Sequence, residues 1–145
     1  MKTSIMLKWF LLISLFFASV SSKAIGNIQK NNPRKIITVS VNEKGWVMIG
    51  RDTLSIDQLT DELQKRLWKS YLGTGEMFDA IRLEFSGQPP MVIQKSVKDA
   101  IKEAQRKALI DISVQKHERK FEDISSRQQK KIKKQFPVLF QTSYE

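Results

Sequence analysis

Cysteine is absent from this 145-residue chain, which excludes disulfides, thiolate metal sites, a cysteine nucleophile and a lipid-modified N-terminal cysteine. A fold without such links must be held by its core alone. Histidine is scarce too: His117 is the only one. It lies in Lys116-His117-Glu118-Arg119-Lys120, with no convergent partner at ligand spacing, and so reads as a solvated residue on a helix face. No Gly-rich phosphate loop, no G-x-S-x-G and no H-E-x-x-H occurs. The nearest acidic pairs, Asp57/Asp61 and Asp99/Glu103, stand at i, i+4 among lysines, which is the pattern of an exposed helix face. No catalytic residue, metal ligand or cofactor site is therefore expected.

Acidic residues are missing altogether before Glu43, and a short apolar run occupies part of that stretch. Lys2 and Lys8 precede the run Trp9–Val20, and a small-residue exit, Ser21-Ser22-Lys23-Ala24, follows it. Twelve residues at 1.5 Å each cannot cross a hydrocarbon core of about 30 Å, which needs about 20. Length, charged flank and the Ser22-x-Ala24 ending fit a secretory signal peptide better than a membrane anchor. The anchor is the alternative, because Ile5 to Ser22 spans about 18 residues if Lys8 snorkels. On either reading the rest of the chain works outside the cytoplasm. Loss of residues 1–24 would remove Lys2, Lys8 and Lys23, leave 121 residues and lower the net charge from +10 to +7. That length suits one small domain with a modest core. An exported basic protein rarely meets nucleic acid. An acidic partner or an anionic membrane surface suits the location better.

Residues 25–34 are polar and turn-rich, the composition of a linker, and a domain is expected over 35–145. Ile37, Val39 and Val41 alternate with Thr38 and Ser40, the period of a half-buried strand. Asn42-Glu43-Lys44-Gly45 is a hairpin-length connection, and Trp46-Val47-Met48-Ile49 returns to Gly50. Ser55-Ile56-Asp57-Gln58 has capping-box spacing and opens a helix with Ile56, Leu59, Leu63 and Leu67 on one stripe, running to about Lys69. Gly73-Thr74-Gly75 breaks it. Ile81, Leu83 and Phe85 mark a third strand, closed by Gly87-Gln88-Pro89-Pro90. Val97, Ile101, Ala104, Ala108 and Ile112 mark a long second helix. A further box, Ser125-x-x-Gln128, opens a short basic helix ending before Pro137. Val138-Leu139-Phe140 reads as a last, edge strand.

The order β-β-α-β-α-α-β predicts an α+β fold. A small mixed sheet of about four strands packs two main helices on one face, and the third strand pairs in parallel with an earlier one. Ile37, Val39 and Val41 should meet Leu59, Leu63, Ile101 and Ala108 in the core. Trp46 and Trp68 read as core or core-edge aromatics. Lys130, Lys131, Lys133 and Lys134 form the densest basic run. They read as the solvated face of an amphipathic helix around Ile132 and Phe136, or as a contact for anionic lipid or an acidic partner.

Two stretches carry a family likeness. One is Ile37-Thr38-Val39-Ser40-Val41-Asn42-Glu43-Lys44-Gly45-Trp46-Val47-Met48-Ile49-Gly50, running into the capped helix Ser55–Leu63. The sharper one is Phe121-Glu122-Asp123-Ile124-Ser125-Ser126-Arg127-Gln128-Gln129-Lys130-Lys131-Ile132, followed by Phe136-Pro137-Val138-Leu139-Phe140. From about Lys35 to Phe140, roughly 70% of the chain, the sequence resembles the periplasmic part of the ExbD/TolR biopolymer-transport family, most closely its Bacteroidetes-type members. The resemblance implies a dimerising periplasmic module in a TonB–ExbB–ExbD (Tol-like) system for outer-membrane transport, with ExbB/TolQ-like and TonB/TolA-like partners. Family members carry one acidic residue in their transmembrane helix, where it takes part in proton flow. The apolar run here holds no Asp or Glu, and Ser14 and Ser19 cannot titrate there, so no position inherits that role.

The residues and the resemblance together lead to a non-catalytic subunit or accessory, in the periplasm or at the inner membrane with this domain periplasmic. The alternative is a secreted envelope domain that binds peptidoglycan or another envelope protein without a motor role. Partner contact is expected at Val138, Leu139 and Phe140, as an edge open to augmentation, and at Lys130, Lys131, Lys133 and Lys134.

Overall fold

The computed structural model describes residues 34–144. The expected signal peptide or anchor, and the linker but for Arg34, lie outside the described residues. Among those described, no helix is long and apolar enough to cross a membrane.

The strands are β1 (Ile36–Val41), β2 (Val47–Ile49), β3 (Asp52–Leu54) and β4 (Ala80–Phe85), and the helices are α1 (Ile56–Thr74), α2 (Met91–His117) and α3 (Ser126–Gln135). The sheet order is β3-β2-β1-β4. β2 is antiparallel to β1, with Val39 opposite Ile49, and β4 is parallel to β1, with Val39 opposite Leu83. The fold is therefore α+β with a four-stranded mixed sheet, as the sequence order predicts.

The alternation along β1 decides the layering. Ile37, Val39 and Val41 are buried while Ile36, Thr38 and Ser40 are half-buried, so one sheet face meets the helices. Leu59, Leu63 and Leu67 of α1 and Val97, Ile101, Ala104, Ala108 and Ile112 of α2 complete that core. The two helices are also tied directly: Lys107 Nζ meets Asp61 Oδ1 at 2.8 Å, and Gln64 Nε2 donates to Asp111 Oδ2 at 2.7 Å. Leu63 is fully buried, so Leu63→Ala should lower stability by about 2–5 kcal/mol in urea denaturation. An unchanged midpoint would remove Leu63 from the core.

Local signals explain the element ends. Asn42 Oδ1 accepts from the amides of Lys44 and Trp46, both at 3.0 Å, an Asx-type turn that Gly45 completes at φ 83°. Gln58 Oε1 accepts from Ser55 N–H at 3.0 Å, closing the predicted box at the start of α1. The helix then runs past Lys69 and through Gly73, and ends only at Gly75, whose φ of 71° makes the left-handed cap.

Four expectations are corrected. β3 has no counterpart in the sequence reading, because a three-residue strand with one apolar side chain carries no readable alternation. Trp46 is not core: it is 52% exposed and shares the parity of Met48, which points to the open sheet face. His117 is half-buried rather than solvated. Gln128 Nε2 contacts His117 Nδ1 at 3.2 Å, and since an amide nitrogen can only donate, Nδ1 accepts. Lastly, Pro137–Phe140 is a 3-10 turn, not a strand. Its Val138 and Leu139 are 0% and 5% exposed, so they finish the core.

Ser113 is buried on α2, and its Oγ has no hydrogen-bond partner among the described residues. A desolvated hydroxyl without a partner is unfavourable. Ser113→Ala should therefore raise stability by about 1 kcal/mol, read as a melting temperature several degrees higher. A lower melting temperature would mean that the hydroxyl is satisfied.

Candidate functional site

With Val138 and Leu139 in the core, the sheet ends on β3 and β4 among the described residues. β3 is three residues long, and its Asp52 is held by Arg66, which also binds Glu62 at 2.9 Å. Short, charged edges of this kind resist pairing. β4 is twice as long, and its free side is only partly closed.

The closure is a single glutamine. Gln141 Oε1 accepts from Ile81 N–H at 2.8 Å, and Gln141 Nε2 donates to Ile81 C=O at 2.9 Å. A side-chain amide here makes the pair of bonds that a neighbouring strand would make. In a parallel strand, alternate residues aim their N–H and C=O groups to the same side. Leu83 and Phe85 therefore present theirs to the side that Gln141 occupies at Ile81, and no described side chain bonds them there. Beside Ile81 lies a cleft of about 310 Å³ lined by Arg34, Asp79, Arg82, Pro137, Gln141 and Ser143.

Three further bonds fix the segment that carries Gln141. Buried Gln105 donates through Nε2 to Val138 C=O at 2.6 Å and to Gln141 C=O at 3.2 Å, and Tyr144 Oη donates to Gln105 Oε1 at 2.9 Å. Partial burial pushes the Tyr144 phenol above its usual pKa. Neither Gln105 nor Gln141 is marked by the sequence. Each acts across more than thirty residues of chain, and no local pattern announces a long-range amide.

The predicted contact residues divide. Val138 and Leu139 are core, and Phe140 is half-buried against Phe121 at 5.6 Å between ring centroids. Lys130, Lys131, Lys133 and Lys134 are all exposed on α3. Lys133 Nζ stands 5.6 Å from the Phe140 ring and 6.0 Å from the Phe121 ring, so its charge already has cation–π partners. The other three form no ion pair among the described residues. The acidic pairs behave as surface charges: Asp61 takes Lys107, and Glu103 takes Arg106 at 2.6 Å, which holds the Glu103 carboxyl below its usual pKa. Among the described residues no group of three or more His, Cys, Asp or Glu could hold a metal ion.

The arrangement offers main-chain hydrogen bonding to an extended segment, next to two guanidinium groups that suit an acidic side chain. The chain matches no family model and no curated protein.

Proposed function

We propose that this chain is a non-catalytic subunit or accessory of a TonB–ExbB–ExbD (Tol-like) energy-transduction system for outer-membrane transport. It would act in the periplasm, or at the inner membrane with this domain periplasmic, through protein contacts and homodimer formation with no proton-conducting role. The observation that carries the reading is the outer side of β4, where no described side chain bonds the backbone groups of Leu83 and Phe85. An extended segment could pair with Leu83 and Phe85 there, next to Ile81, whose backbone the Gln141 amide holds. The resemblance over Lys35–Phe140 supplies the class of partner.

Co-purification from the cell envelope against ExbB/TolQ-like and TonB/TolA-like proteins tests the assignment. Recovery of either supports it, and recovery of neither removes it. Restoration of proton-driven uptake by this chain in place of a full ExbD-like subunit would overturn the absence of a proton role.

Gln141→Ala tests the edge itself. Loss of the paired bonds should lower stability by about 1 kcal/mol and strengthen self-association or partner binding, because Ile81 joins Leu83 and Phe85 as an open edge. Unchanged association, measured by analytical ultracentrifugation and pull-down, would place the contact elsewhere.

A second reading, an envelope domain that binds peptidoglycan without a motor role, rests on Lys130, Lys131 and Lys134, three exposed cations without ion pairs among the described residues. Sedimentation with purified peptidoglycan, lost on conversion of these lysines to glutamine, would favour it.

A further inference from the structure

Among the described residues, the largest apolar exposure on a helix lies at the start of α2. Met91 and Val92 are 78% and 76% exposed, although the helix buries a full core stripe elsewhere. Met91, Lys95, Lys98 and Lys102 recur at i, i+4, i+7 and i+11, which puts them on one stripe. These side chains line a shallow cleft of about 490 Å³. Asp99 lines the same cleft, so the stripe keeps a net positive charge. None of these lysines has an ion-pair partner among the described residues, whereas Arg106 and Lys107, one turn further on, are neutralised by Glu103 and Asp61.

The helix start adds to this charge. Pro90 provides no side-chain cap, and the first turn holds no acidic residue. The positive end of the dipole is left uncompensated. An apolar tip followed by a lysine row matches an anionic lipid surface. Apolar side chains enter the headgroup boundary while ammonium groups meet lipid phosphates. A protein partner would more commonly be met by aromatic and arginine anchors than by a row of lysines.

We infer that the first turns of α2, Met91 and Val92 with Lys95, Lys98 and Lys102, form a docking surface for an anionic lipid bilayer. The surface is separate from the β4 edge and stands whether or not the chain serves a transport motor.

The absence of cysteine makes a clean test possible, because a single introduced cysteine is the only one labelled. Full-length Val92→Cys carrying an environment-sensitive fluorophore is mixed with vesicles of phosphatidylcholine alone or of equimolar phosphatidylcholine and phosphatidylglycerol. The apolar run Trp9–Val20 can enter either vesicle, so the label at position 92 is the readout, not binding of the chain. The label should shift to the blue and be quenched by bilayer-embedded nitroxide on the anionic vesicles only, and high salt should reverse this. Adding Lys95→Gln, Lys98→Gln and Lys102→Gln should lower the ratio of docked to undocked label on the order of 100-fold, at about fivefold per lysine. An equal response on neutral vesicles, no response on anionic ones, or survival in the triple-glutamine variant would each overturn the proposal. So would a response confined to a label at Lys130→Cys, which would move the docking surface to α3.

Discussion

Truncation after Phe136 should abolish the cooperative unfolding transition of the domain. Among the described residues, the segment after Phe136 holds one short 3-10 turn, yet it helps to fill the core. Val138 and Leu139 are buried among Ile81, Ile101, Ile132 and Phe136 in one apolar cluster. Withdrawing both would remove about 3–6 kcal/mol of apolar burial. Gln105, itself buried, would lose both acceptors of its amide and the donor from Tyr144. Each of these hydrogen bonds contributes about 0.5–1.5 kcal/mol net. Together these consume most of the roughly 5–15 kcal/mol that separates a folded domain from its unfolded chain. Far-UV circular dichroism against urea should show a broad, non-cooperative loss of signal in the truncated chain. The paired substitutions Gln141→Ala and Tyr144→Phe, which leave Val138 and Leu139 in place, should keep a cooperative transition. A truncated chain with the full-length midpoint would show that the tail lies outside the folding unit.

That tail is also where reading from sequence fails, and the reason is physical. Three apolar residues after a proline suit an edge strand or a buried turn equally, because so short a run has no period. What decides is whether α2 and α3 leave a gap for Val138 and Leu139, and a gap is a property of the packed helices. Longer patterns leave less room for error. β1 alternates over six residues, α1 and α2 carry apolar stripes several turns long, and the parallel pairing of β1 with β4 follows from the crossover through α1. The Ser125–Gln128 box is equally legible, since both its partners lie within one turn.

The candidate site is legible only in part. β4 shows itself as a strand, but its place at the sheet edge depends on the order of all four strands, and the unexpected β3 occupies the other edge. Gln141 and Gln105 make their bonds across the fold and carry no local signature. Trp46 departs from expectation because burial of a hydrophobic residue beside a turn depends on strand parity, and parity is fixed only once the register with β1 is known.

Phe136→Ala should cost about 3–5 kcal/mol, the upper range for a single truncation in a core. Among the described residues, Phe136 heads the fully buried side chains by volume. It ends α3 and starts the final turn, with φ −128° and ψ 64°, so its ring joins the third helix to the rest of the core. The Tyr71 ring meets it edge-on at 5.5 Å and 87°, and Lys116 Nζ lies over both rings, at 5.4 Å from Phe136 and 5.6 Å from Tyr71. α1, α2 and α3 therefore converge on one aromatic pair, although nothing in the spacing of Tyr71, Lys116 and Phe136 announces it. A double-mutant cycle with Tyr71→Leu and Phe136→Leu isolates the ring–ring part, which should couple by about 0.5–1.5 kcal/mol. Lys116→Met should lose only about 0.5–1 kcal/mol, because the ammonium group is exposed and its attraction to the rings is screened by water. Denaturation midpoints of these variants decide the matter. A Phe136→Ala loss below about 1 kcal/mol, far under the range for a buried phenylalanine, or a coupling of zero, would mean that α3 is fastened by Ile132 and Val138 and that the aromatic contact is incidental.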